Sequence, residues 1–129
     1  MTPEPTPPPK AAAAVRLDPQ ALARLRELDP DGRQGVVVRV LVAFETSLAR
    51  MLSQLQAEPL AEQAAVVAGV AHMLKSSSAS VGALELAKAC ADIELKLRHG
   101  DVSSLQHDIS RLISEGESAQ QAVAAILRP

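Results

Sequence analysis

From Leu17 onward the apolar residues of this chain recur at helical rather than strand spacing, and that period limits it to helix-on-helix architectures. The hardest case is Val36-Val37-Val38-Arg39-Val40-Leu41-Val42, whose β-branched content alone would suit a strand. The wider window decides otherwise, because Val37, Leu41, Phe44, Leu48, Met51 and Leu55 keep one helical face over about five turns. A long helix is expected here. Phe44 is the sole aromatic among 129 residues, so the core must be built from Leu, Val, Ile and Ala, which suits close helix–helix packing. Without aromatics there is no stacking platform for nucleic acid, and a formal net charge of -2 lacks the basic excess that follows a phosphate backbone.

The remaining elements follow from their punctuation. Asp18-Pro19 pairs an N-cap with proline at the first helical position and starts a short helix from Pro19 to about Leu28. Asp29-Pro30-Asp31-Gly32 is a turn by composition. Glu58-Pro59 opens a third helix reaching about Ala79, and Ser80-Val81-Gly82 interrupts it. A fourth helix runs from about Ala83 to His99 and stops at Gly100, with Leu86, Cys90, Ile93 and Leu97 on one side. Glu85, Lys88, Asp92 and Lys96 lie on the other, where Asp92 and Lys96 are spaced for an i,i+4 ion pair. Asp101 is expected to cap the last helix, striped by Leu105, Ile109, Leu112, Gly116, Ala119, Val123 and Ile126. The expected fold is all-α, an antiparallel four-helix bundle with a short additional N-terminal helix covering one end.

Residues 1–16 differ in kind from the bundle at 17–129. Five of the nine prolines fall in Met1 to Pro9, then Lys10 and four alanines follow, which reads as a disordered Pro/Ala-rich tail or linker. The opening Met1-Thr2-Pro3-Glu4-Pro5 lacks the basic start and apolar run of a signal peptide, and no stretch approaches the roughly 20 apolar residues of a membrane span. Cys90 is the only cysteine, which leaves no intrachain disulfide, fits a reducing compartment and suits a small core hydrophobe. A cytoplasmic monomer is the expectation.

The third helix has two unlike faces at about 100° per residue. Leu60, Val67, Val70, Ala71, Leu74 and Val81 form the expected core side. The opposite side is centred on His72 and carries Ala61, Ala65, Ala68, Gly69, Lys75, Ser76 and Ala79. A histidine among such small residues projects from a flat surface that another protein can approach closely, and Ala65, Ala68, Gly69, Ser76 and Ala79 are the expected docking face. Gly69 costs up to about 1 kcal/mol against alanine in mid-helix, which is sensible if clearance is needed there. Neutral imidazole is nucleophilic near neutral pH, and the Lys75 ammonium one turn on could attract a phosphoryl group and offset its charge. The chain has no GxxxxGK(S/T) loop and no glycine-rich kinase signature, so the phosphoryl group would arrive with a partner.

The string Ala71-His72-Met73-Leu74-Lys75-Ser76-Ser77-Ser78-Ala79-Ser80-Val81-Gly82-Ala83, followed by Leu86, Cys90 and Ile93-Glu94, resembles the signature of histidine-containing phosphotransfer (HPt) domains. Leu17-Asp18-Pro19 and Phe44 upstream, and Arg98-His99-Gly100-Asp101 downstream, are similar to the same family. The resemblance implies a phosphorelay intermediate: His72 as the phospho-accepting residue, Lys75 as its electrostatic assistant, and no kinase activity of its own. It implies receiver domains of response regulators or a hybrid sensor histidine kinase as partners, with Mg²⁺ held by the receiver and no cofactor on this chain. One departure is Ser76, where the family most often has glycine; serine is still small, and its hydroxyl could bond to the phosphoryl group or back to the preceding turn.

Other residues are expected to be structural or incidental. Gly82 fits a turn or packing position better than a phosphate contact. Glu94 could support the Lys75 region or simply end in solvent. His99 and His107, with His72 and Cys90, make no recognised zinc spacing, so no metal site is expected. The rival from another class is a non-catalytic adaptor bundle with a degenerate phosphotransfer fold, disfavoured because a scaffold has no need to keep His72 and Lys75 together on a bare face. A free-standing enzyme would need several convergent polar groups, where only one nucleophile and one cation are found.

Overall fold

The computed structural model describes residues 16–57 and 63–129. These residues form five helices and no strand: α1 Pro19–Glu27, α2 Val36–Ala57, α3 Gln63–Val81, α4 Leu84–Arg98 and α5 Leu105–Leu127. Four of them close a ring of neighbours, α2 on α3, α3 on α4, α4 on α5 and α5 on α2, as short connections between antiparallel helices require. The fifth, α1, packs on α2 and α3. The expected tail lies outside the described residues apart from Arg16, as do Glu58-Pro59, Leu60 and Ala61.

Each helix begins or ends for a local reason. Asp18 accepts the N–H of Gln20 at 3.2 Å, with Pro19 next to it, and so starts α1. Val36-Val37-Val38 is helical, as the wider period requires, and Asp29 assists its start. That carboxylate is almost buried and accepts the N–H groups of Gln34 at 3.1 Å and Val36 at 3.2 Å. Burial alone would raise its pKa, but these backbone donors outweigh it and hold the group below the usual carboxylate range.

The core is aliphatic, as the lack of aromatics demands. Leu41, Leu48, Leu74, Leu86, Ile93 and Leu112 are its largest fully buried side chains, and each contributes about 1.5–3 kcal/mol through burial. Phe44 and Cys90 join them. At Gly116 an added Cβ would lie 2.7 Å from Leu52 Cδ2, so glycine there lets α5 approach α2 closely.

The turn between α3 and α4 depends on Gly82. Its φ of 85° is left-handed, and an added Cβ would lie 2.5 Å from the backbone nitrogen of Asp18. That same Asp18 N–H donates to the Gly82 carbonyl at 2.9 Å, which ties the start of α1 to the end of the bundle where α3 turns into α4.

Three local expectations need correction. The third helix runs to Val81, past Ala79, and ends at Gly82. Asp101 does not cap α5; it accepts the N–H and hydroxyl of Ser103 in the preceding turn, and Ser104 is the N-cap. Asp92 and Lys96 do not pair. Asp92 accepts Arg111 at 3.1 Å, while Lys96 donates to Asp108 at 3.0 Å and Ser104 at 3.1 Å, all three partners being on or beside α5. The fully buried Asp108 carboxylate needs a cation far more than the exposed Asp92 does, and Lys96 goes where the desolvation cost is greater.

Candidate functional site

Val67, Val70, Ala71, Leu74, Ser78 and Val81 of α3 turn into the bundle, and that rotation aims His72 outward. Its side chain is 73% exposed. Lys75, one turn further on, is half-buried, and Glu94 reaches the pair from α4 with only 8% of its surface exposed. Glu94 Oε2 lies 2.6 Å from His72 Nδ1, and Glu94 Oε1 accepts the Lys75 ammonium at 2.5 Å. Arg98, one turn beyond Glu94 on α4, donates to the same Oε1 at 3.3 Å. One carboxylate thus gathers three partners.

The electrostatics assign the imidazole tautomer. Hydrogen bonds from Lys75 and then His72 outweigh the effect of burial and hold the Glu94 pKa below the usual carboxylate range. An ionised carboxylate only accepts, so Nδ1 carries the proton and donates it to Glu94. In the neutral ring the lone pair is then on Nε2. This is the arrangement a histidine nucleophile needs: an exposed ring, one nitrogen anchored, the other free to attack.

The surroundings of the ring are low. Ala65, Gly69, Ser76 and Ala79 are exposed and Ala68 is half-buried; Ala61 lies outside the described residues. An added Cβ at Gly69 would meet no heavy atom within 4 Å, so nothing within the fold requires glycine there. Beside this face Met73 is 60% exposed, and a shallow groove of about 220 Å³ runs along Met51, Gln54, Val66, Gly69, Val70 and Met73. Ser78, on the inward face, is buried and its hydroxyl has no partner among the described residues.

Of the other candidate residues, Cys90 is fully buried, and burial first, then the Glu94 charge, push its thiol pKa up to about 12. His99 and His107 are exposed, and among the described residues no three His, Cys, Asp or Glu side chains could hold a metal ion. The residue that sequence reasoning left open is Glu94, and Arg98 entered only through the family resemblance. Neither shares a helix with His72, so no periodicity could have joined them to it.

Residues 39–126 match the Hpt domain family. The chain belongs to that family. As an Hpt domain it is a phosphotransfer intermediate of two-component signalling, a family whose partners are receiver domains. Among solved structures, the Hpt domain is similar to histidine-containing phosphotransfer protein B (HptB) from Pseudomonas aeruginosa PAO1. The two are 26% identical with a TM-score of 0.73, over 89% of this chain and 96% of that one. No curated protein matches. No helix among the described residues of the Hpt domain is long and apolar enough to cross a membrane.

Proposed function

We propose that His72 is the residue that carries the phosphoryl group, taking it from the aspartyl phosphate of one receiver domain and giving it to the aspartate of another. The observation that carries this reading is the exposed His72 ring with Nδ1 bonded to Glu94 at 2.6 Å. In the forward step the Nε2 lone pair attacks phosphorus, the N–P bond forms, and the P–O bond to the receiver aspartate breaks. The aspartate leaves as a carboxylate with the bonding electrons. The Nδ1 proton stays in its bond to Glu94, whose negative charge offsets the positive charge that develops on the ring. Lys75, half-buried one turn away, supplies a cation for the phosphoryl oxygens.

The partner's approach fits the same surface. Ala65, Ala68, Gly69, Ser76 and Ala79 would form the docking face, leaving the receiver backbone room to bring its aspartyl phosphate to the ring. The receiver would hold the Mg²⁺, and this chain would contribute only the acceptor and its charges. Such a carrier would work in the cytoplasm beside its receivers, without kinase activity of its own.

The test is transfer from a phosphorylated receiver. The wild-type chain should gain acid-labile, base-stable phosphate and His72→Gln should gain none. Labelling of the His72→Gln protein would move the site elsewhere. Binding of receivers without any labelling would favour the adaptor reading.

A further inference from the structure

Glu94 Oε1 accepts two cations, Lys75 at 2.5 Å and Arg98 at 3.3 Å, while Oε2 is occupied by His72. This sharing matters once His72 carries a phosphoryl group, and the role it gives Arg98 rests on that reading of the histidine. A phosphoryl group brings close to two negative charges beside Nε2. Lys75 lies one turn from His72 on the same helix, and turning its ammonium toward the phosphoryl oxygens would weaken its bond to Glu94. Glu94 is 8% exposed, so water replaces the lost bond poorly. Arg98 is on the same helix as Glu94, its side chain is 64% exposed, and it already donates to the oxygen that Lys75 would vacate. Its guanidinium has five donors, enough to take a second bond to the carboxylate as the ammonium departs.

We infer that Arg98 is a positioning residue that takes over Glu94 when Lys75 moves to the phosphoryl group, so that the lysine is released without stranding a carboxylate. Before transfer Glu94 is shared between two cations, and afterwards one cation serves each anion. Arg98 does not touch the phosphoryl group; its effect passes through Glu94 and Lys75.

The experiment is a double-mutant cycle on the equilibrium for phosphoryl uptake from a phosphorylated receiver. Arg98→Ala should lower that equilibrium constant about three- to fivefold, the size of one exposed ion pair. Arg98→Lys, which keeps the charge, should recover most of the loss. Lys75→Ala should lower uptake as well, and adding Arg98→Ala to it should then change nothing, because no lysine remains to be released. An equal loss from Arg98→Ala with and without Lys75 would overturn the inference and leave His72 as the acceptor. So would wild-type uptake in Arg98→Ala. A wild-type chain that takes no phosphate, or a His72→Gln chain that does, removes the acceptor reading and this inference with it.

Discussion

Replacing Gly82 by alanine should destabilise the platform of the site without touching its chemistry. At φ 85° an alanine residue costs about 1–2 kcal/mol in left-handed backbone alone. The new Cβ would also lie 2.5 Å from the Asp18 nitrogen and 3.0 Å from its carbonyl oxygen, both backbone atoms that cannot rotate aside. Relief requires moving Asp18 away, which loses its 2.9 Å hydrogen bond to the Gly82 carbonyl, about 1 kcal/mol, and loosens the neighbouring buried Leu17. The sum is about 3 kcal/mol, or roughly 10 °C in Tm for a chain of this size. Urea denaturation of wild type, Gly82→Ala and Gly69→Ala would measure it. Gly69→Ala is the control, since its Cβ meets nothing and should stabilise α3 by up to about 1 kcal/mol. A Gly82→Ala protein within about 0.5 kcal/mol of wild type would refute the reasoning, for neither the strain nor the clash would then exist.

Glu94→Ala should free the His72 ring to sample both tautomers. Nitrogen NMR of the imidazole should then change from one protonated and one bare nitrogen to averaged signals, and phosphoryl uptake should fall on the order of tenfold. Acid should destabilise the fold: Asp29, Glu94 and Asp101 all have folded pKa values below their ordinary ones, so the unfolded chain binds protons first as pH falls. Their contribution is complete above the ordinary carboxylate range and declines below about pH 5, and denaturation curves for Asp29→Asn should be flatter there. Cys90, with its thiol pKa raised to about 12, should resist alkylation at pH 8 in the folded protein and react once urea unfolds it.

What could be read from the sequence was what depends on neighbours along the chain. The stripe Leu41, Phe44, Leu48, Met51, Leu55 marks α2 despite its β-branched start, because about four turns of burial outweigh the preference of a few valines. His72 and Lys75 were visible as a pair because helical geometry fixes the relation between positions three apart. The rest depended on packing. Glu94 meets His72 across 22 positions, and only the rotation of α4 on its buried Ile93 turns that carboxylate toward the ring rather than solvent. For the same reason Lys96 looked like a partner for Asp92, since the buried carboxylate it prefers is Asp108 on another helix. Asp101 looked like a cap because it follows a glycine break, but Val102 to Ser104 form a further turn before the helix begins.

The four charged or ionisable groups at the ring, His72, Lys75, Glu94 and Arg98, all belong to a single hairpin of α3 and α4 closed at Gly82. Helix α2 supplies none of them, yet its Met51 and Gln54 form one wall of the groove beside Met73. Changes at those two positions could therefore alter which visitors are admitted while leaving the imidazole tuned as before. In a cell with many receivers, selectivity of this carrier could drift at the second helix while the reactivity set on the hairpin stays fixed.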